Sequence, residues 1–185
     1  FLEEISKMIV IVFFCTRKDE FDEPMDGIVY GVAASLGFAA YENIEYVLYA
    51  LKEPSFEIAT VRAYTAVPLH ALCGIMMGFL ITQSIFEKTN NYLNLVLALF
   101  IPVGIHGLYN YSLSSSVISS YFAYIILVVF IIRSYILFKI LKRKQSKSII
   151  FNKRYYNISI SNFANAASTV LIIYLGLNYC INLIL

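Results

Sequence analysis

Residues 92–113 read YLNLVLALFIPVGIHGLYNYSL, a stretch with no Asp, Glu, Lys or Arg and a single histidine, His106. A helix crossing the hydrocarbon core of a bilayer needs about 20 consecutive, mostly apolar residues, and this stretch meets that length. Runs of the same kind recur at 27–50, 62–85, 117–140 and 163–185, and a shorter one covers 1–15. They are continuous rather than alternating, which is the wrong pattern for a membrane β-barrel. Composition points the same way. Of 185 residues 59% are apolar and 14% charged, with a mean hydropathy of +0.72; soluble domains hold roughly 45–50% and about 25%. So much apolar side chain cannot be hidden in a soluble sphere of this size, which counts against a soluble enzyme, a disordered tail or a nucleic-acid module. The expected fold is all-α: a polytopic transmembrane helical bundle of about six helices. It forms one integral-membrane domain over 1–185, with a polar-residue-bearing core in 1–113 and scaffold helices in 117–185. The chain opens at Phe1, already inside apolar sequence, so further helices are expected ahead of it.

Charge is nearly balanced, with 14 Lys+Arg against 12 Asp+Glu, and implies no polyanionic partner. The three cysteines, Cys15, Cys73 and Cys180, are far apart and form neither a disulfide framework nor a zinc knuckle. Cations are distributed unevenly between alternate loops. One set holds Arg17, Lys18, Lys88, Lys139, Lys142, Arg143, Lys144, Lys147, Lys153 and Arg154, and the other only Lys52 and Arg62. The positive-inside rule places the first set in the cytoplasm. The basic linker Lys139–Asn157 then reads as a membrane-surface anchor, and Asp19–Asp26 as a solvated cytoplasmic turn.

Ionisable residues inside a spanning helix are costly and are by default functional. Here they are Glu3, Glu4, Lys7, Glu42, Glu45, His70, His106 and Arg133. Counted from the cytoplasmic ends, Glu3, Glu4, Glu42, His70 and His106 fall at roughly 17–23 Å in a core of about 30 Å. Three carboxylates and two imidazoles on four helices therefore share one layer, toward the extracytoplasmic side. Glu45 reads as interfacial, and Arg133 can snorkel to the cytoplasmic surface. Phe38 and Glu42 share a helical face that Gly27, Gly31 and Ser35 continue, and His70, Gly74 and Gly78 repeat the design on the next helix. Such small-residue faces allow close helix approach. His106 and Asn110 are one turn apart and are expected to enter one cavity; Pro102, one turn before His106, removes a backbone donor. Plainer readings exist: Glu3 with Lys7 as a local i,i+4 ion pair, and His106 with Asn110 as interhelical glue.

These residues, in this order, resemble the PrsW family of intramembrane proteases, within the wider CAAX-protease and bacteriocin-processing superfamily. Four blocks carry the resemblance. They are Glu3-Glu4-x-x-Lys7; Asp26 to Gly31 running through Leu36-Gly37-Phe38 to Glu42-Asn43 and Tyr46; Arg62 followed by His70-Ala71-Leu72; and His106-Gly107-Leu108-Tyr109-Asn110. The resemblance implies an enzyme of a bacterial or archaeal cell membrane that hydrolyses a peptide bond of a membrane protein or peptide. Cleavage of an anti-sigma factor as the first step of a signalling cascade is one such role.

By that resemblance Glu3 is the base for the attacking water, and Glu4 orients it or shares its proton. Lys7 keeps one of the pair ionised. Glu42 and His70 position the water or protonate the leaving amine, while His106 and Asn110 donate to the oxyanion; Phe38 and Asn43 support them. No cofactor is expected on this reading. A zinc-dependent alternative would use Glu42, His70 and His106 as ligands, but no HExxH is present and spacing across separate helices does not decide between them. A proton-coupled transporter and a non-catalytic membrane scaffold are the readings outside proteolysis. Cys73, three residues after His70, is a remote alternative nucleophile. The lipid bilayer is the expected surroundings, with no nucleic-acid partner.

Overall fold

A computed structural model describes residues 1–49, 55–87, 91–115, 120–147 and 158–184. Among these there is no strand. Helix α1 (Leu2–Ile9) continues without a break into a π-helical segment, Val10–Cys15. It is followed by α2 (Pro24–Tyr49), α3 (Ser55–Tyr64), α4 (Ala66–Phe86), α5 (Asn91–Ser114), α6 (Tyr121–Lys147) and α7 (Ile160–Ile184). With α3 and α4 taken as one interrupted helix, the described residues form six helices, the number expected. Among the described residues three stretches, Phe56–Phe86, Asn91–Ser114 and Tyr121–Gln145, are long and apolar enough to cross a membrane.

Local chemistry accounts for the boundaries. Pro24 stands at the first position of α2, where a missing N–H costs nothing. The backbone N–H groups of Asp22 and Glu23 donate to Asp26 Oδ2 at 3.1 and 2.7 Å, fixing the turn that enters α2. In α1 the register widens after Ile9, and Thr16 N–H reaches back five residues to the Ile11 carbonyl.

The structure departs from the expected spans at two places. The run 62–85 is broken at Thr65, whose φ of −124° and ψ of −73° leave the helical region. Pro68 explains the break: it has no N–H for the Tyr64 carbonyl, and its ring crowds that carbonyl. Arg62, expected in a loop, is therefore the last basic residue of α3. The second departure is α6, which runs on to Lys147, so the first part of the supposed linker 139–157 is helical. Its Leu, Lys, Arg and Gln residues are good helix formers, and cations favour a helix C-terminus. Lys52, Lys88, Lys153, Arg154 and the remainder of that linker lie outside the described residues.

α4 is the central element. On one side it meets α2 along a glycine seam so tight that a Cβ on Gly78 would fall on the Gly27 carbonyl oxygen. Cβ atoms on Gly74 and Gly31 would likewise fall on each other's carbonyl oxygens. Thr82 Oγ1 closes the seam by donating to the Pro24 carbonyl at 3.0 Å. On its other sides Met77, Ile81 and Ile85 pack with Met8, Ile11, Leu95 and Leu99, while Leu72 and Met76 pack with Ile105, Ile126 and Leu127. α7 covers the first of these clusters through Phe163, Ala166 and Val170. α6 buries one stripe and leaves Ile125, Val128, Ile132 and Tyr135 exposed. An apolar face of that kind suits acyl chains rather than water. Arg133 is exposed on the same helix. Ion pairing of Lys144 with Glu87, and a hydrogen bond from Gln145 to Glu23, tie the end of α6 to the α4 terminus and the turn before α2.

Candidate active site

The glycine seam has a direct consequence for polar groups. With α2 and α4 in backbone contact, Glu42 on α2 and His70 on α4 come within reach, and His70 Nε2 lies 2.8 Å from Glu42 Oε2. On the opposite edge of the same imidazole, Lys7 Nζ from α1 lies 2.8 Å from Nδ1. An ammonium can only donate, so His70 Nδ1 carries the lone pair and Nε2–H donates to Glu42. Both ring nitrogens of His70 are thereby committed.

Lys7 Nζ also donates to Glu4 Oε1 at 2.6 Å, and His106 Nδ1 on α5 donates to that same oxygen at 2.8 Å. Glu3 Oε2 is next, 3.6 Å from His106 Nδ1. The two imidazoles meet edge to face with centroids 4.9 Å apart, and Phe38 caps the group, with Lys7 Nζ 5.0 Å from its ring centre. Glu4, Lys7, His70 and His106 are all buried. Removing charges this far from water is tolerated because each is paired. Two oxygens are exceptions: Glu3 Oε2 and Glu4 Oε2 are buried and accept no hydrogen bond.

The layer inferred from helix rise thus closes into one connected network for Glu3, Glu4, Lys7, Glu42, His70 and His106. Two details differ, one from the plainer pairing of Glu3 with Lys7 and one from the cavity expected to be shared by His106 and Asn110. Lys7 pairs with Glu4, three residues away, and with His70 across the bundle, rather than with Glu3. Asn110 has an exposed side chain and no hydrogen bond to the network; one further turn carries it about 6 Å past His106 along the axis. Glu45, which reads as interfacial, is exposed and lies outside the cluster.

Arg62 belongs with this site although no role was expected for it. Its Nη2 donates to Glu42 Oε2 at 2.8 Å, its Nε donates to Asn43 Oδ1 at 2.6 Å, and its guanidinium stacks 3.9 Å over Tyr46. An open groove of about 440 Å³ beside it is lined by Tyr46, Glu57, Ile58, Val61 and Arg62. The sequence signal was available, since Arg62 stands in the same block as His70, but its distance from Glu42 along the chain hid the pairing. Arg62→Lys is expected to destabilise the protein by about 1–3 kcal/mol, because a single ammonium cannot serve Glu42, Asn43 and Tyr46 together. A thermal-unfolding midpoint in detergent checks it.

Glu3, Glu4, His70 and His106 each bring one potential ligand atom to within 4.8 Å of the others, a group whose composition could hold a metal ion. Glu42, expected in a metal set, is not among them; it is engaged by His70 Nε2 and Arg62. The arrangement does not fit an ion as it stands. An imidazole nitrogen has one in-plane lone pair, and that of His70 Nδ1 is directed at Lys7.

Fold and site together define a multi-spanning α-helical membrane protein with a buried carboxylate–imidazole–ammonium centre. The chain belongs to the PrsW family: the family described as PrsW family intramembrane metalloprotease matches residues 1–135. It is 41% identical over 112 residues to Protease PrsW of Geobacillus kaustophilus, covering 60% of this chain and 48% of that protein. It is 39% identical over 116 residues to Protease PrsW of Bacillus subtilis, covering 62% and 51%. The match to Protease PrsW of Clostridioides difficile is 31% over 157 residues, covering 84% and 63%. The chain therefore spans about half the length of the curated relatives it matches, and these relatives are bacterial. No solved structure matches it.

Proposed function

We propose that this chain carries the catalytic centre of an intramembrane endopeptidase of a bacterial membrane, acting on a membrane protein or membrane-bound peptide. Residues 1–113 hold the chemistry and 117–185 serve as scaffold. The observation that carries the reading is the pair of buried, unpartnered carboxylate oxygens, Glu3 Oε2 and Glu4 Oε2, beside His106. Both retain lone pairs for a water molecule, and a carboxylate that accepts the water's proton is a general base.

The roles divide by what each group still has free. Glu4 Oε1 is taken by Lys7 and His106, so Glu4 organises, and Glu3, more accessible and with Oε2 uncommitted, takes the proton. His70 has no free nitrogen; it positions Lys7 and Glu42. The donors left for the developing oxyanion are His106, through Nε2 when both nitrogens are protonated, and the exposed Asn110 amide. Glu3, once protonated, returns the proton to the leaving amine. Phe38 and Asn43 hold Lys7 and Arg62 in place.

The orientation of cations supports cleavage near the extracytoplasmic side, where the Arg62 groove would admit a substrate segment. An anti-sigma factor, cut in the first step of a signalling cascade, is a substrate of the right topology. A zinc-dependent reaction is the second reading, favoured by the donor composition of Glu3, Glu4, His70 and His106; the commitment of both His70 nitrogens opposes it.

The test is cleavage of a fluorogenic transmembrane peptide by the purified protein in liposomes. Cleavage supports the proposal; ion flux without cleavage of any peptide would replace it with a transporter. Cys73 is buried against α5, with Sγ 3.9 Å from the Pro102 carbonyl oxygen, and faces away from solvent. Cys73→Ala is accordingly expected to keep its activity within about twofold, since a buried thiol of this kind acts as a packing group.

A further inference from the structure

We infer that Lys7 is the site's resident cation: its ammonium fills the place that a divalent metal ion would take, so this centre operates with a lysine where its donor set alone would bind zinc. The inference rests on the same site as the proposed hydrolysis, but it concerns what the site binds, not what it cleaves.

Three observations carry it. First, the four potential ligand atoms of Glu3, Glu4, His70 and His106 gather within 4.8 Å of one another. Two carboxylates and two imidazoles suit zinc by chemistry. Second, Lys7 Nζ stands among them, 2.6 Å from Glu4 Oε1 and 2.8 Å from His70 Nδ1, with its side chain wholly buried. These are the lone pairs a metal would need. His70 cannot offer its other nitrogen, because Nε2–H is donated to Glu42. Third, the ammonium is satisfied where it is: two of its protons are used, and the third side meets the electron-rich face of Phe38 at 5.0 Å. A divalent ion would have to displace a fully coordinated cation, and it could not sit beside that cation without strong repulsion at short range. Lys7 thus neutralises Glu4, pins the tautomer of His70 and excludes metal by one set of contacts.

The test measures metal, not turnover. The purified membrane protein is equilibrated with zinc, dialysed, and its bound zinc measured by elemental analysis; cobalt(II) absorption reports tetrahedral coordination. Wild type is expected to retain no stoichiometric zinc. Lys7→Met, which keeps the length and loses the charge, is expected to bind one equivalent at least about 100-fold more tightly than wild type. It should also gain thermal stability with added zinc, which wild type does not. His106→Ala added to Lys7→Met should abolish the gain, locating the ion among these residues. Lys7→Ala is the second variant should Lys7→Met not fold. Tight stoichiometric zinc in wild type overturns the inference, as does failure of both variants to bind more zinc than wild type. If neither variant folds, the wild-type measurement decides. None of these readings depends on cleavage, so the hydrolase proposal can fail while this one stands, and the reverse.

Discussion

Glu3→Gln is expected to lower peptide cleavage by about 10²–10⁴-fold, the usual contribution of a positioned general base, while leaving the protein folded. The structural reason is the asymmetry between two adjacent carboxylates. Glu3 Oε2 accepts no hydrogen bond, its nearest partner being His106 Nδ1 at 3.6 Å, so an amide in its place loses the ability to take a proton and little else. With no hydrogen bond to lose and a partly exposed side chain, the change is expected to cost no more than about 1 kcal/mol in stability.

Glu4→Gln should behave differently. Its Oε1 receives both Lys7 and His106 in a buried setting, and removing one partner of a buried ion pair costs about 3–5 kcal/mol. Cleavage and thermal stability measured on the two variants side by side check the division of labour. If Glu3→Gln retained full activity while Glu4→Gln lost it without unfolding, the two roles would have to be exchanged. Full cleavage by both variants would end the catalytic reading.

The second large effect concerns the seam that builds the site. Gly78→Ala is expected to destabilise the protein by about 2 kcal/mol or more and to abolish activity with it. In an exposed helix the same change would stabilise by about 1 kcal/mol, through lower backbone entropy in the unfolded chain. Here the added methyl would land on the Gly27 carbonyl oxygen, which is backbone and cannot rotate away. Overpacking costs typically 1–3 kcal/mol, and relief by sliding α2 off α4 would separate Glu42 from His70. Gly104→Ala on α5 is the control of opposite sign, because nothing lies within 4 Å of the position its Cβ would take. Thermal midpoints of the two variants should move in opposite directions, and equal shifts would mean that the seam does not set the helix spacing.

Much of this architecture was legible without coordinates because it depends on local quantities. Hydropathy over windows the thickness of a bilayer marks the helices, and the fixed rise per residue converts position along each helix into depth. Glu4, Glu42, His70 and His106 could therefore be placed in one layer before their contacts were known. The glycine faces were legible for the same reason, since residues one turn apart must share a face.

What stayed hidden is the extent of the site and its long-range pairing. Residues one turn apart share a face, so Asn110 looked as well placed as His106, but the network occupies one level and the next turn lies about 6 Å beyond it. The break at Thr65 depends on one proline inside a run whose hydropathy is uninterrupted. It leaves α3 against α2, and Arg62 meets Glu42 and Asn43 there. Lys7 is the clearest case. Along the chain its natural partner is Glu3; in the bundle it bonds Glu4 and, across the interior, His70.

The amino-acid order by itself determined that this protein lives in a membrane as a helical bundle and carries acids and imidazoles at one depth, because burial of apolar length and helix rise are properties of each segment alone. Only the tertiary structure decided which lone pairs remain free, because that depends on the approach of α2 to α4 and on where one ammonium from α1 comes to rest between them.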